Sequence, residues 1–286
     1  MKQAYYILFI LMAGLSSCDP KPIDLEIQME KPRIIISPLF NSENEIGILV
    51  TRSFSSLASV QNPFDLVYGS RINSARVSIE NDGRAYNLAG VSPVYLSGDI
   101  GFRPYSEYRV IVIDTLTGEK AEASTVMLPQ VKPHAIDLQR SDKAADTAVT
   151  LTLDIQDDAS VKRYYLVTFN LNEEVRGKSG QKPLSGKSLY DVIEIFDNSA
   201  AANGHLTYEK TYRQNIVGFG GNDSVIVEVS EVSGEYYNYL SIYKKSGSVI
   251  NQLTGEPINM PSNVRGGAGF FFLTYPVYKE FILGEH

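Results

Sequence analysis

The 286-residue sequence predicts a mainly β protein: an N-terminal immunoglobulin- or fibronectin-III-like β-sandwich, then a larger β-rich domain carrying one amphipathic helix. Three observations carry this. Apolar residues recur with period two along most of the chain, the spacing of half-buried strands. Eighteen Tyr and twelve Phe against no Trp suit pleated surfaces, where aromatic and β-branched side chains pack well. One stretch alone, Glu235 to Lys245, has helical spacing, with Tyr236, Tyr239, Leu240 and Tyr243 on one stripe and Gly247 after its end.

The N-terminus reads as an address. Lys2 precedes an apolar run from Tyr5 to Leu15, about a dozen residues, whereas a spanning helix needs roughly twenty. The run ends in Leu15-Ser16-Ser17-Cys18, which resembles the lipobox of bacterial lipoprotein precursors. Cys18 is the only cysteine, and a core thiol has no reason to sit behind a signal sequence, so it is expected to be acylated with palmitate-type chains and become the first mature residue. Residues 1–17 are then a signal peptide and residues 18–26 a lipidated linker, in which Pro20 and Pro22 favour extended backbone. Each buried acyl methylene contributes about 0.8 kcal/mol, so two or three chains anchor durably where one does not. Asp19, Asp24 and Glu26 suit either a surface-export signal or an ordinary solvated leash, which leaves the membrane face open.

The first β domain is expected over residues 27–129. Ile46, Ile48 and Val50 share a face, Arg76 to Glu80 is a short strand, and Asn81-Asp82-Gly83 turns it into a hairpin. In "GFRPYSEYRVIVID" a Pro104-containing corner precedes Tyr108, Val110 and Val112 in alternation, the pattern of the penultimate strand of such a sandwich. Glu122 to Leu128 closes it, and Pro129 and Pro133 bracket a boundary. The second domain, residues 130–286, opens on Val149, Leu151, Leu153 and Ile155 facing in. Tyr164 to Leu171 is expected to pair with that strand, followed by strands at Leu206 to Tyr212, Ser224 to Val232 and Phe270 to Leu283.

Composition narrows the function. A net charge of −7 without clustered basic residues excludes a nucleic-acid footprint. Gly180 to Ser188, "GQKPLSGKS", imitates a phosphate loop, but its glycines stand one residue too far apart and Pro183 removes a donor. "GFGGNDS", Gly218 to Ser224, leads into a strand and lacks the helix N-terminus of a dinucleotide site. His134, His205 and His286 show no metal-ligand spacing. Asp154, Asp157 and Asp158 lack the glycine and distal glutamate of a calcium loop, and no nucleophile elbow appears. No metal, cofactor or catalytic residue is therefore assigned, although carboxylates converging from distant segments remain open as a hydrolase site.

The chain resembles a known family through several motifs in order: Cys18-Asp19, "NSARVSIENDG", Tyr108, Tyr164-Tyr165, Tyr236-Tyr237-x-Tyr239, and most specifically "EPINMPSNVRGGAGFFF". These are similar to the Bacteroidota outer-membrane lipoproteins grouped as domain of unknown function 4249. The resemblance implies a two-part, mainly β lipoprotein of the outer membrane, often encoded beside TonB-dependent transporters and without established chemistry. The resulting expectation is a non-catalytic binding or docking accessory of a TonB-dependent β-barrel transporter, lipid-anchored in the outer membrane. The alternatives are an adhesive or structural cell-envelope protein, or a hydrolase with a dispersed site. Asn263, Arg265, Gly266 and Gly267, beside Tyr236 and Tyr239 of the helix, form the candidate partner contact, because Arg and Tyr are over-represented among interface anchors. Its bland counterpart is a turn feeding a core strand.

Overall fold

Seven strands build the first module: β1 (Ile34–Asn41), β2 (Ile46–Arg52), β3 (Ala75–Asn81), β4 (Arg84–Val91), β5 (Val94–Ser97), β6 (Glu107–Asp114) and β7 (Lys120–Val126). They are taken from a computed structural model that describes residues 31–41, 44–53, 69–143, 146–171, 193–213, 224–246 and 260–282. The expected signal peptide and lipidated linker, with Cys18, the loop Gly180 to Ser188, Gly218 to Asp223, Gly247 and His286 lie outside the described residues.

The strands hydrogen-bond in the order β1-β2-β5-β4-β3-β6-β7, each pair antiparallel. Strand β4 changes partner midway, with Ala85 to Leu88 against β3 and Ala89 to Val91 against β5, so it passes from one layer to the other. The layers β1-β2-β5-β4 and β3-β6-β7 match the two sheets of an immunoglobulin-type sandwich. Period-two patterning fills the space between them: Ile36, Ile46, Ile48 and Val50 pack with Val77, Ile79, Val110 and Val112, all buried. Tyr108, buried at the start of β6, accepts a 2.8 Å hydrogen bond from the Arg103 backbone N–H. That bond is the tyrosine corner typical of these sandwiches.

The second module comprises β8 (Pro133–Lys143), β9 (Asp146–Gln156), β10 (Tyr164–Leu171), β11 (Glu194–Asp197), β12 (His205–Arg213), β13 (Ser224–Val232) and the helix α1 (Gly234–Ser246). The strands β14 (Gly267–Gly269) and β15 (Val277–Ile282) follow. A three-stranded sheet, β12-β9-β8, shares a core with a four-stranded one, β11-β10-β13-β15. Val149, Leu151, Leu153 and Ile155 meet Val167, Phe169, Val225, Val227 and Val229 there. Strand β10 does not pair with β9 as its sequence position suggests; it lies in the other sheet, between β11 and β13. The connection crosses the sandwich instead, held where Asn198 Nδ2 donates to the Asp158 and Val161 carbonyls.

Helix α1 covers the outer face of the four-stranded sheet, setting Tyr236 and Leu240 on Leu166 and Val232. Its first turn is capped by Ser233, whose hydroxyl accepts from the Tyr236 N–H at 3.1 Å. The helix is thus amphipathic as its spacing implies, and the protein is mainly β.

The C-terminal segment departs from expectation. Residues 270–276 are not strand, and Val264, Phe271 and Leu273 join the first core, so that core is not supplied by residues 27–129 alone. From Pro32 onward the chain forms one compact unit. Arg265 exchanges backbone hydrogen bonds with Glu122 of β7, at 2.7 and 2.9 Å, and β14 then pairs parallel to β1. This segment bridges the two edge strands of the first sandwich. It is also a staple between cores: Phe271 points into the first, whereas Phe270 and Phe272 stack on Tyr236 at 5.4 and 3.9 Å between ring centroids.

Candidate functional site

The bridging segment, residues 263–274, is a clasp on the first sandwich and accounts for most of the expected partner contact. Asn263 is spent on Phe271: its Oδ1 accepts the Phe271 N–H at 2.8 Å and its Nδ2 donates to the Phe271 carbonyl at 2.7 Å. A side chain here replaces a strand partner. Gly267 and Gly269 are required by close backbone approach, since a Cβ would lie 2.4 Å from the Ile34 oxygen and 2.1 Å from the Ile36 oxygen. Gly266 lies equally close to Lys120, and Tyr236 is buried against phenylalanines. Four of the six residues therefore serve internal packing. Arg265 pairs with Glu122 yet keeps its side chain 83% exposed, and Tyr239 is half-buried on Phe270. The side chains left to a partner are these two.

A different feature has the shape of a site. Where β7 passes into β8, an open cleft of about 530 Å³ separates the two modules, within the size range of small-molecule sites. Its base holds an ionic network. Asp157, buried, pairs with the Arg163 guanidinium and accepts the Tyr165 hydroxyl at 2.7 Å. Arg163 also faces Glu231 at 3.9 Å. Burial lifts the Glu231 carboxyl above the ordinary glutamate range, with Arg163 pulling it back. Burial, reinforced by the Asp157 carboxylate, likewise raises the Tyr165 hydroxyl. The wall carries exposed Gln130, Lys132, Gln156 and Asp158, so both hydrogen-bond donors and acceptors line the space while the charges of the base are mutually paired.

Tyr105 stands at the rim, 76% exposed. The Ser106 N–H bonds back to the Arg103 carbonyl, and Tyr105 has φ of +63° after Pro104. Proline at the first central position with positive φ at the second is the type II turn, which favours glycine at that second position. The turn is fixed to the end of β7: Tyr105 N–H donates to Met127 O at 2.7 Å and Met127 N–H to Ser106 O at 3.0 Å. Of these cleft residues the sequence singles out Asp157 and Asp158, as a weak calcium pattern, and Tyr165, as part of the Tyr164-Tyr165 motif. Tyr105, Gln156, Arg163 and Glu231 come from separate segments, and the one local signal was an aromatic residue two places into a proline turn.

Two further clusters are structural in character. Glu194 of β11 collects Lys210 of β12 at 3.1 Å, Lys244 of α1 at 3.2 Å and the Tyr208 hydroxyl at 3.3 Å, pinning helix and sheets together. His134 and His205, remote in sequence, are stacked at 4.7 Å, with Asp154 at 3.1 Å from His205 Nδ1. No group of three or more ligating side chains able to hold a metal occurs among the described residues. Among the same residues no helix is long and apolar enough to cross a membrane, which says nothing of strands.

An immunoglobulin-type sandwich clasped to a helix-backed second β-sandwich, with a polar cleft between them, defines a two-module β protein with a candidate ligand site. The family model described as "Domain of unknown function (DUF4249)" matches residues 20–278, and the chain belongs to that family. No curated protein matches the sequence. Among solved structures it is similar to a "putative carbohydrate binding protein" from Bacteroides uniformis, with 9% identity over 56% of this chain and 79% of that one and a TM-score of 0.24. A chain of a cytokine receptor complex shares 9% identity over 68% and 82%, also with a TM-score of 0.24. The FN1–FN3 domains of chicken CNTN1 share 12% over 87% and 67%, with a TM-score of 0.20. At these scores the likenesses carry no argument.

Proposed function

We propose that the protein is a lipid-anchored, non-catalytic binding accessory of the outer membrane that works with a TonB-dependent β-barrel transporter. The observation that carries the binding reading is the junction cleft, whose base charges are already paired with one another while its wall offers exposed amides beside one charge of each sign. Such a site suits recognition more than bond-breaking, which needs an acid or base poised against substrate. The lipobox at Leu15 to Cys18 supports the anchor, and the family resemblance supports the transporter partner. Arg265 and Tyr239 are the contact residues this reading retains.

The test is recovery of the acylated protein from solubilised outer membrane. A β-barrel partner in stoichiometric yield is expected, and Arg265→Ala should reduce that yield without changing the melting temperature. Recovery without any barrel, together with binding to cells or matrix, would replace this reading by the adhesive one. Turnover of glycan or peptide would replace it by the hydrolase. Cys18→Ser should abolish acyl labelling and release the protein from the membrane; persistent labelling overturns the anchor.

A further inference from the structure

We propose that the junction cleft binds a neutral oligosaccharide, with Tyr105 as the platform on which a sugar ring stacks. The inference rests on the cleft being a ligand site and names its ligand. It begins with an expense that the fold does not require. A tyrosine at positive φ is a steric outlier where glycine would sit without strain. Its ring is largely exposed, so burial offsets none of that cost. Backbone strain that packing does not repay is characteristic of positions held for a ligand, and the turn is tied at both ends to Met127, so the ring is presented in a fixed place.

The rest of the cleft says what the ring would meet. Arg163 is engaged by Asp157 and Glu231, and opposite charges from Lys132 and Asp158 share the wall, so no single sign of charge selects an ion. The exposed amides of Gln130 and Gln156 and the carboxylate of Asp158 supply donors and acceptors side by side. Gln130 Nε2 already donates to the Pro276 carbonyl at 2.9 Å, which orients its amide and leaves the oxygen to accept. A ligand with an apolar face for an aromatic ring and a periphery of hydroxyls that both donate and accept fits this combination. A pyranose has that form: axial C–H groups against the ring, hydroxyls toward amide and carboxylate. A charged metabolite would meet no uncompensated charge of the opposite sign in the cleft.

Calorimetry and saturation-transfer NMR on the acylated full chain in detergent test the assignment. The probes are short neutral oligosaccharides of glucan, xylan, mannan and chitin type, run beside oligouronates and mixed-sequence peptides. At least one neutral series is expected to bind, with Tyr105→Ala weakening it about tenfold or more, the loss typical of an aromatic anchor, and Tyr105→Phe retaining most of it. Tyr105→Gly should lose binding while its melting temperature stays level or rises, a combination that a purely structural tyrosine does not produce. The proposal is overturned if no neutral oligosaccharide binds at millimolar concentration, if only uronates or peptides bind, or if Tyr105→Ala binds like the wild type. A barrel recovered from membranes without oligosaccharide binding sinks the ligand assignment alone. Oligosaccharide binding with no barrel sinks the transporter reading alone.

Discussion

Tyr108 and Gly269 show how single residues hold the first module. Removing the hydroxyl in Tyr108→Phe leaves the Arg103 N–H without its acceptor, at a cost of about 1–2 kcal/mol. For a chain of this size that lowers the melting temperature by roughly 2–4 °C per kcal/mol, readable by calorimetry with the fold intact. Glycines separate by what surrounds them. Gly269 has φ of +102° with the Ile36 oxygen 2.1 Å from a built Cβ, whereas Gly101, at +62°, has nothing within 4 Å. Gly101→Ala should cost about 1 kcal/mol and Gly269→Ala several times more, because the second must also push apart β1 and β14. Equal melting temperatures for the two variants would contradict the clasp. Tyr108 was legible from spacing alone, since a tyrosine opening an alternating strand after a proline corner has one common structural use. Tyr105, three residues earlier, was not, because its meaning depends on a φ angle and on a cleft whose other wall is formed by residues beyond Ile155.

At the scale of elements, alternation recovers what is half-buried and overlooks what is not. Strands β3 and β9 carry a clean in-out pattern, and β2, β6, β12 and β13 carry it with a break, which still left all of them readable. In β1 the run Ile34-Ile35-Ile36 with Pro38 hides it, and in β8 the proline at the first position reads as a boundary although a strand tolerates proline there. The expected strand from Phe270 keeps the alternation of a pleat, with Phe270 and Phe272 on one side and Phe271 on the other, but the Phe271 backbone bonds to the Asn263 side chain. Substitutions should divide by core. Val110→Asp places a carboxylate among fully buried residues of β6, a cost of several kcal/mol against a total near 5–15, and should unfold the first module; unchanged melting would show the strand misplaced. Leu240→Ala on α1 should cost about 2–4 kcal/mol and expose the Leu166 face while leaving the tyrosine corner undisturbed, as near-UV circular dichroism and hydrogen exchange would report.

For the molecule as a whole, acid is the informative perturbation. Lys162 and then Ser199 hold the Asp197 carboxyl at about 2, and the Ser74 hydroxyl, then the Leu116 N–H and Arg52, hold Asp114 well below the usual carboxylate range. Groups depressed by folding contribute stability that is complete above their unfolded value near 4 and lost as pH falls through the folded one. The urea midpoint should therefore be insensitive to these two groups above about pH 4 and decline toward pH 2, with Asp114→Asn flattening part of that decline. Glu231, raised by burial, works in the opposite sense and is relieved on acidification. The clasp carries another consequence, one of time. Thr274 N–H donates to Asn41 Oδ1 across 233 residues, and β1 finds its parallel partner only in β14. Such distant closure is slow, because loop entropy is lost before the contacts form. The first module is thus completed by residues up to 233 positions further along the chain, so the β1 edge stays open until residues 267–274 have been made.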